Sequence, residues 1–462
     1  MPELRLEDTI AALSTPPGEG GIAVIRMSGK EALSLVAHLF RPSKRINLAE
    51  QPTHTIHHGH FLDEKGNLLD EVLISIFHSP HSYTGEEVVE ISCHGGIRLT
   101  HQILELLFRK GARPAEPGEF TKRAFLNGKM DLTQAEAVLD LIQSRSQASL
   151  EAALQQLQGK LSEKINSLKE TLLKIQAHWE ASLDFPDEHL EIDSEEECLG
   201  LLRGVQEKIR DLVASFRRGR LLREGILTVI VGRPNVGKSS LLNAFLEKDR
   251  ALVSPIPGTT RDALEETIEI EGFGIRLVDT AGLTSPKHEL DQMGMDRTRR
   301  YLNESELVLF LIDGSEEWRA EDEAIFSELK GKNILPVVNK VDLSQKLDLD
   351  RLICLFPETP LNFISCATGT GLRELERQIA KIILEKGFAR ESVTLTRLRH
   401  KQALEEALAA LQQSERLFRE KVPAEIVLVE LKGAVDSLRE LIGEVYSEDL
   451  LDVIFQEFCI GK

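Results

Sequence analysis

Long apolar runs are missing from this chain. No stretch of roughly eighteen apolar residues occurs, so no membrane-spanning helix is expected. The opening MPELRLEDTI carries acids and lacks the apolar segment of a secretion signal. Cysteine is sparse: the five are Cys93, Cys198, Cys354, Cys366 and Cys459, an odd number with no C-x-x-C pair. That pattern argues against a disulfide framework and a zinc site and fits a reducing, cytoplasmic setting. Aromatics are only 5% of residues, and there is no internal repeat or low-complexity tract. An excess of base is also absent. Lys and Arg number 56 against 75 Asp and Glu, a net charge of −19. A protein that simply coats RNA would be basic, so any nucleic-acid contact must use local basic patches or a partner.

What is present falls into alternating textures. Residues 1–120 mix short apolar runs such as GIAVIRMSG and EVLISIF with Gly and Pro punctuation, which predicts a small α+β domain. Residues 121–220 read as helical. Leu150, Leu154, Leu157, Leu161, Ile165, Leu168, Leu172 and Ile175 recur at steps of three or four and predict one long amphipathic helix packed in a bundle. A second helical stretch covers 195–218. Residues 221–386 alternate strand-like runs (ILTVIVG, IRLVDTAG, LVLFLID, ILPVVNKVD, LNFISC) with helix-like segments, which predicts a mostly parallel sheet covered by helices. Within it, IEIEGFGIRLVD predicts a hairpin with Gly272 and Gly274 in the turn. Residues 387–462 are helical again. The expected fold is therefore multidomain, a discontinuous helical bundle interrupted by an inserted P-loop α/β domain. Basic clusters mark both junctions: Arg217, Arg218, Arg220 and Arg223, then Arg397, Arg399, His400 and Lys401. They read either as solvated junctions or as RNA or partner contacts.

The inserted segment carries the chemistry. GRPNVGKSS sits between a strand and a helix and fits G-x-x-x-x-G-K-[ST] at Gly232, Gly237, Lys238 and Ser239. Glycines let backbone N–H groups surround phosphates, Lys238 supplies charge to the β and γ oxygens, and the Ser239 hydroxyl can ligate Mg²⁺. DTAG ends the next strand: Asp279 can hold Mg²⁺ through water and Gly282 N–H can meet a γ-phosphate. NKVD follows at Asn339, Lys340 and Asp342. The Asp342 carboxylate offers two acceptors to the N1–H and 2-amino group of guanine, a pattern adenine lacks. Ser365, Cys366 and Ala367 end the last strand, where a backbone N–H reaches guanine O6. Together these predict a GTP site formed by Asn235, Val236, Gly237, Lys238, Ser239, Ser240, Ser254, Pro255, Ile256, Pro257, Gly258, Thr259, Thr260, Asp279, Thr280, Ala281, Gly282, Asn339, Lys340, Asp342, Ser365, Cys366 and Ala367.

PGTTRD places Thr259 and Thr260 as hydroxyls for Mg²⁺ and the γ-phosphate. Leu283 follows DTAG where a Ras-like protein has the glutamine that orients water. Another residue must position the water. Asn235 either stabilises its own loop or turns its amide oxygen toward a monovalent cation, which can act where an arginine finger otherwise would.

The whole chain closely resembles the bacterial and organellar MnmE (TrmE) tRNA-modification GTPases. The stretches that carry the likeness are TPPGEGGIAVIRMSG, SYTGEEVVEISCHGG, PGEFTKRAFLNGKMDLTQAEAV and the terminal CIGK. The resemblance implies a homodimer formed through the N-terminal domain, which binds 5-formyltetrahydrofolate or a related folate. It implies a heterotetramer with the partner MnmG, which brings FAD and NADH. Together they would add an aminomethyl or carboxymethylaminomethyl group to C5 of the tRNA wobble uridine. GTP hydrolysis would be activated by K⁺-dependent pairing of G domains. By the family's motifs, the folate contacts would fall on Arg26, Glu90, Lys129 and Lys462, K⁺ on Asn235, Ser254, Ile256 and Thr259, and Mg²⁺ on Ser239 and Thr260. The water-orienting acid would be Asp291, with Glu289 as its rival. The family usually has Glu there, and Ala where Cys366 stands.

Other features are weaker. His54, His57, His58 and His60 lack a cysteine or acid at metal-ligand spacing, so no metal is expected there. Cys93 reads as a buried strand residue. CIGK has C-a-a-X spacing, but Lys is not a usual last residue for prenylation. Gly461 is expected to turn the tail after a helix ending near Phe458, bringing Lys462 toward the folate contacts. Cys459 is either a placement residue or a thiolate nucleophile toward the uridine. A competing reading of the whole is a regulatory GTPase of the ribosome-assembly type, which shares the P-loop and the Leu after DTAG.

Overall fold

The computed structural model describes residues 8–184, 195–250, 265–279, 299–385 and 393–462. The chain divides into two compact units. The first comprises Met1–Leu139, Ser162–Glu170 and Lys432–Lys462, and the second Asp140–Leu161 and Thr171–Leu431.

In the first unit a seven-stranded sheet is built from β1 (Ile10–Leu13), β2 (Gly20–Ser28), β3 (Phe40–Pro42), β4 (Thr55–Leu62), β5 (Leu68–Phe77), β6 (Val88–Gly95) and β7 (Arg113–Pro114). Their spatial order is β3-β4-β5-β6-β2-β1-β7, with every pairing antiparallel except β1 with β7. Alternation decides the faces: in β5, Val72, Ile74 and Ile76 are buried while Glu71 and Leu73 are exposed. The covered face packs with α1 (Ala32–Ala37) and α2 (Ile97–Arg109), which contributes Ile103, Leu106 and Leu107 to one core. Next come α3 (Glu119–Leu126) and α4 (Leu132–Gln143). Phe125, Leu132 and Leu139 form a second core with Leu451 and Phe455 of the last helix, Glu448–Gln456.

The GEFTKRAFLNGK stretch owes much of its character to one buried ion network. The Arg123 side chain is fully buried and bonds Asp8, Glu86 and Glu119, while Arg113 bonds Asp8 and Glu119 as well. A guanidinium out of water needs several carboxylate partners, and this one has them.

Helices of the second unit include α5 (Gln147–Leu157), α6 (Lys160–Asp184), α7 (Glu195–Glu224), α8 (Lys238–Arg250), α9 (Ala320–Glu328), α10 (Leu349–Leu355), α11 (Leu372–Glu385), α12 (Leu398–Arg419) and α13 (Ala424–Ile442). The α4, α6 and α13 helices run across the boundary between units. The single long helix predicted from Leu150 to Ile175 is two helices. Gly159, at φ +82°, takes the left-handed conformation after α5, and its N–H bonds the Gln156 carbonyl while Gln158 N–H bonds that of Leu154. The apolar stripe survives in α6 through Leu161, Ile165, Leu168, Leu172 and Ile175, but α5 buries Ala148, Ala153 and Gln156 and leaves Leu154 exposed.

Among the described residues this unit has six strands, β8 (Ile226–Val231), β9 (Glu265–Ile270), β10 (Phe273–Asp279), β11 (Leu307–Asp313), β12 (Ile334–Asn339) and β13 (Asn362–Phe363), in the order β13-β12-β11-β8-β10-β9. All neighbours are parallel except the β9–β10 hairpin. Every residue of β8 and β11 is buried, as central parallel strands covered on both faces require. The hairpin turn is Glu271-Gly272, at φ +49° and +86°. Gly274 is not in it. It lies in β10, where an added Cβ would come 3.5 Å from Ser146 Oγ.

Candidate functional site

The phosphate loop leaves β8 at Val231 and enters α8 at Lys238. Its glycines have definite causes. A Cβ on Gly237 would sit 2.3 Å from Asn339 Nδ2, and one on Gly232 would sit 2.4 Å from the Leu311 carbonyl. Gly237 also holds φ +103° and Asn235 φ +63°, the left-handed region that Asn tolerates better than most residues. Lys238 is buried, and its ammonium donates to the carbonyls of Gly232 and Arg233, each at 2.8 Å. Burial lowers its pKa from the usual lysine value, opposed by the Asp279 carboxylate. Asn235, Ser239 and Ser240 are exposed at the loop mouth. Ser239 Oγ donates to Asp279 Oδ2 at 2.6 Å, so a hydroxyl and a carboxylate meet where Mg²⁺ chemistry needs two hard oxygen donors.

Asn339 ties the loops together. Its Nδ2 donates to the Val236 carbonyl at 2.8 Å, and its Oδ1 accepts from Cys366 N–H at 3.1 Å. One buried amide therefore fixes the phosphate loop, the NKVD strand end and the Ser365–Ala367 loop relative to one another. Lys340, at φ +66°, sends its ammonium to Asp313 Oδ2 at 2.6 Å. Asp342 is exposed beyond it, and Ser365 is fully buried with its Oγ accepting from Thr368 N–H. Burial raises the Cys366 thiol to about 11, so it stays protonated at neutral pH.

Two supporting residues escaped the motif reading. Arg233, the variable second residue of the phosphate loop, is buried against Asp322 at 2.8 Å and Glu316 at 3.1 Å. Asp313 anchors Lys340. The sequence signal for Arg233 is a charge inside the phosphate-loop motif, and for Asp313 an acid at the end of an apolar strand. Ser254, Pro255, Ile256, Pro257, Gly258, Thr259, Thr260, Thr280, Ala281, Gly282, Glu289 and Asp291 lie outside the described residues.

A second constellation forms in the first unit. Arg26 and Glu90 are direct partners across β2 and β6, with Nε 2.9 Å from Oε1. The guanidinium lies over the rings of Tyr83 (5.1 Å) and Phe120 (5.7 Å), and its Nη1 is buried with no hydrogen-bond partner among the described residues. Tyr83 OH is held by Thr121 at 2.8 Å. Neither aromatic was singled out from sequence. The tail is pinned here: Gly118 N–H bonds the Cys459 carbonyl, Phe120 N–H that of Lys462, and Ser14 Oγ that of Gly461. Gly461 turns at φ +95°, where an added Cβ would meet the Leu13 carbonyl at 2.3 Å. Burial lowers the Lys462 pKa, and the neighbouring Arg26 lowers it further. Lys129 is exposed and donates to the Pro80 carbonyl at 2.9 Å, and Cys459 is exposed. The unpartnered buried Nη1 of Arg26 suits a ligand acceptor, such as a carboxylate or pterin carbonyl of a folate. Cys93 is buried in β6, and no metal-ligating group of His, Cys, Asp or Glu occurs among the described residues.

Comparison with known proteins covers the chain. Residues 9–129 match the family model "GTP-binding protein TrmE N-terminus", and residues 132–459 match "MnmE helical domain". A protein of Natranaerobius thermophilus named tRNA modification GTPase MnmE is 44% identical over 99% of this chain and 100% of its own length. One of the same name from Moorella thermoacetica is 46% identical, also over 99% of this chain and 100% of its own. The solved G domain of the T. maritima FeoB iron transporter is 26% identical, covers 34% of this chain and 97% of that one, and has a TM-score of 0.27.

Proposed function

The chain belongs to the MnmE family of tRNA modification GTPases, and on that premise we propose how its residues divide the work. It is a GTP hydrolase of tRNA modification. Full-length membership sets aside the ribosome-assembly reading.

The observation that carries the GTP assignment is the Asn339 tie between the phosphate loop and the loop of Ser365, Cys366 and Ala367. It presets the distance between the phosphate and base subsites, so the nucleotide meets a formed site. In our reading Lys238 turns from the Gly232 and Arg233 carbonyls to the β and γ oxygens, and Ser239 with Thr260 holds Mg²⁺. Mg²⁺ when bound supplies charge neutralisation at the phosphates. Asp342 reads guanine. Asp291, or Glu289 in its place, orients water. Asn235, Ser254, Ile256 and Thr259 hold K⁺, and an Asn235→Ala variant that keeps full K⁺ stimulation of hydrolysis would remove that role.

Base selection is the test. Asp342→Asn replaces an acceptor by an amide donor, so GTP affinity falls at least tenfold while xanthosine triphosphate, which carries a 2-oxo group, gains. Unchanged preference for GTP overturns the assignment.

We assign Arg26, Glu90, Lys129 and Lys462 to a folate, which when bound supplies the one-carbon unit. The support is the unpartnered Arg26 Nη1 and the tail that brings Lys462 within electrostatic reach of it. The wider assembly we propose is a homodimer working in the cytoplasm with the flavoprotein MnmG on the tRNA wobble uridine. Cys459 serves there in placement or as nucleophile, and full modification by a Cys459→Ser variant removes the covalent role.

A further inference from the structure

The tRNA modification reading leaves open where this acidic chain meets RNA. The two junction clusters are the obvious basic runs, and their charges are engaged. Arg217 pairs with Glu306, Arg220 with Glu224, Lys401 with Glu405, and both Arg223 and Arg397 reach Asp140. Arg218, Arg399 and His400 have interactions of their own too.

A different segment inverts the charge of the chain. From His38 to His60 there are three cations, Arg41, Lys44 and Arg45, and five histidines, against Glu50 as the lone acid. Arg41, Lys44 and Arg45 are exposed and form no ion pair among the described residues. Arg41 faces His60 across β3 and β4. The Glu50 carboxylate is taken by the Asn47 amide at 2.9 Å, and that of Glu71 on β5 by His58 at 2.8 Å.

The segment is also held in shape. Phe40 and Leu48 are buried and Ile46 packs on the same core, so apolar anchors flank the cations. Ser43 N–H bonds the His58 carbonyl, and Ser43 Oγ meets His58 Nδ1, both at 2.9 Å. Cations on a fixed loop bind phosphates with less ordering cost than cations on a free tail. Guarding a sheet edge accounts for Arg41 and Pro42, which lie in the edge strand β3. It does not account for Lys44 and Arg45, which lie beyond the strand.

We propose that this loop, through Arg41, Lys44 and Arg45, is a contact surface for the phosphate backbone of tRNA. The inference rests on the tRNA modification reading and adds the surface.

The experiment measures binding of the full chain to a tRNA transcript with an unmodified wobble uridine, by anisotropy, across about 50 to 300 mM salt. Each phosphate contact contributes roughly 0.7–0.9 to the slope of log affinity against log salt. The triple variant Arg41→Gln, Lys44→Gln, Arg45→Gln therefore loses about two units of slope and at least tenfold in affinity at the lowest salt, with basal GTP hydrolysis unchanged. Lys44→Gln with Arg45→Gln, which leaves β3 intact, loses about one to two units and serves if the triple variant folds poorly. An unchanged slope in both variants, with the wild type binding normally, overturns the surface and leaves the tRNA reading standing. Unchanged slope with new self-association in sedimentation assigns the cations to edge protection. A wild type with no salt-dependent tRNA binding overturns direct contact by this chain itself.

Discussion

Arg26 and Glu90 stand opposite each other on antiparallel strands, joined by a 2.9 Å bond that leaves Arg26 Nη1 buried and unanswered among the described residues. An ion pair of this kind orients a donor. Glu90 fixes one side of the guanidinium, the Tyr83 and Phe120 rings support its face, and one N–H pair is left for a ligand.

Arg26→Ala is accordingly expected to weaken 5-formyltetrahydrofolate binding by at least tenfold, about the loss for a charge-assisted hydrogen bond, with GTP hydrolysis unaffected. Calorimetry on the full chain checks it. Wild-type heat retained in the variant would contradict the folate assignment of Arg26.

Asn339→Ala removes both bonds of the tie and leaves the Val236 carbonyl and the Cys366 N–H without that partner. A buried group so orphaned costs about 1–3 kcal/mol, so GTP affinity should fall roughly ten- to hundredfold. Fluorescent GTP-analogue titration measures it. A change under threefold would mean that the loops are preset by something else.

Asp291→Asn should lower kcat by about 10²–10⁴, the range for a lost catalytic group, with nucleotide affinity held. Glu289→Gln is the paired variant. If it is the damaging change and Asp291→Asn is silent, the water-orienting role passes two residues upstream.

The Arg123 network makes a pH prediction. Burial pushes the Glu119 carboxyl up, but bonds from Arg113, the Glu116 amide and Arg123 outweigh it and hold the group below its ordinary 4.5. A carboxyl depressed on folding contributes stability that is fully present above about pH 4.5 and is lost as pH falls through its folded value. Glu119→Gln should therefore be less stable than wild type at pH 7, and the gap should narrow as pH drops below that window. Thermal unfolding between pH 7 and about pH 3 reads this out. A gap that widens on acidification would contradict the network account.

Much of the nucleotide site was legible because each of its motifs is a short backbone requirement. Gly237 holds φ +103°, a backbone demand that glycine meets and that the G-x-x-x-x-G-K-[ST] spacing writes locally, whereas the Asn339 amide pressed against it comes from a distant strand end. The Arg233–Asp322 pair was not legible, because its members stand 89 positions apart and either alone reads as a surface charge. The break at Gly159 is hidden for the opposite reason, because its signal is local while the stripe is read over a longer window. A continuous apolar stripe suits one helix or two equally well, and only the left-handed Gly159 marks the break.

Identity, composition and motif order settled the class of protein: the chain belongs to the MnmE family, and GxxxxGKS, DTAG and NKVD mark a GTP site by chemistry that operates within a few residues. Tertiary structure decided which charges are spent and which are free. Arg217, Arg223 and Arg397 at the junctions meet carboxylates, while among the described residues Arg26 keeps a bare donor and Arg41, Lys44 and Arg45 form no ion pair. Whether a charge finds a partner depends on what the fold brings within about 4 Å, and Coulomb attraction at that range takes no account of distance along the chain.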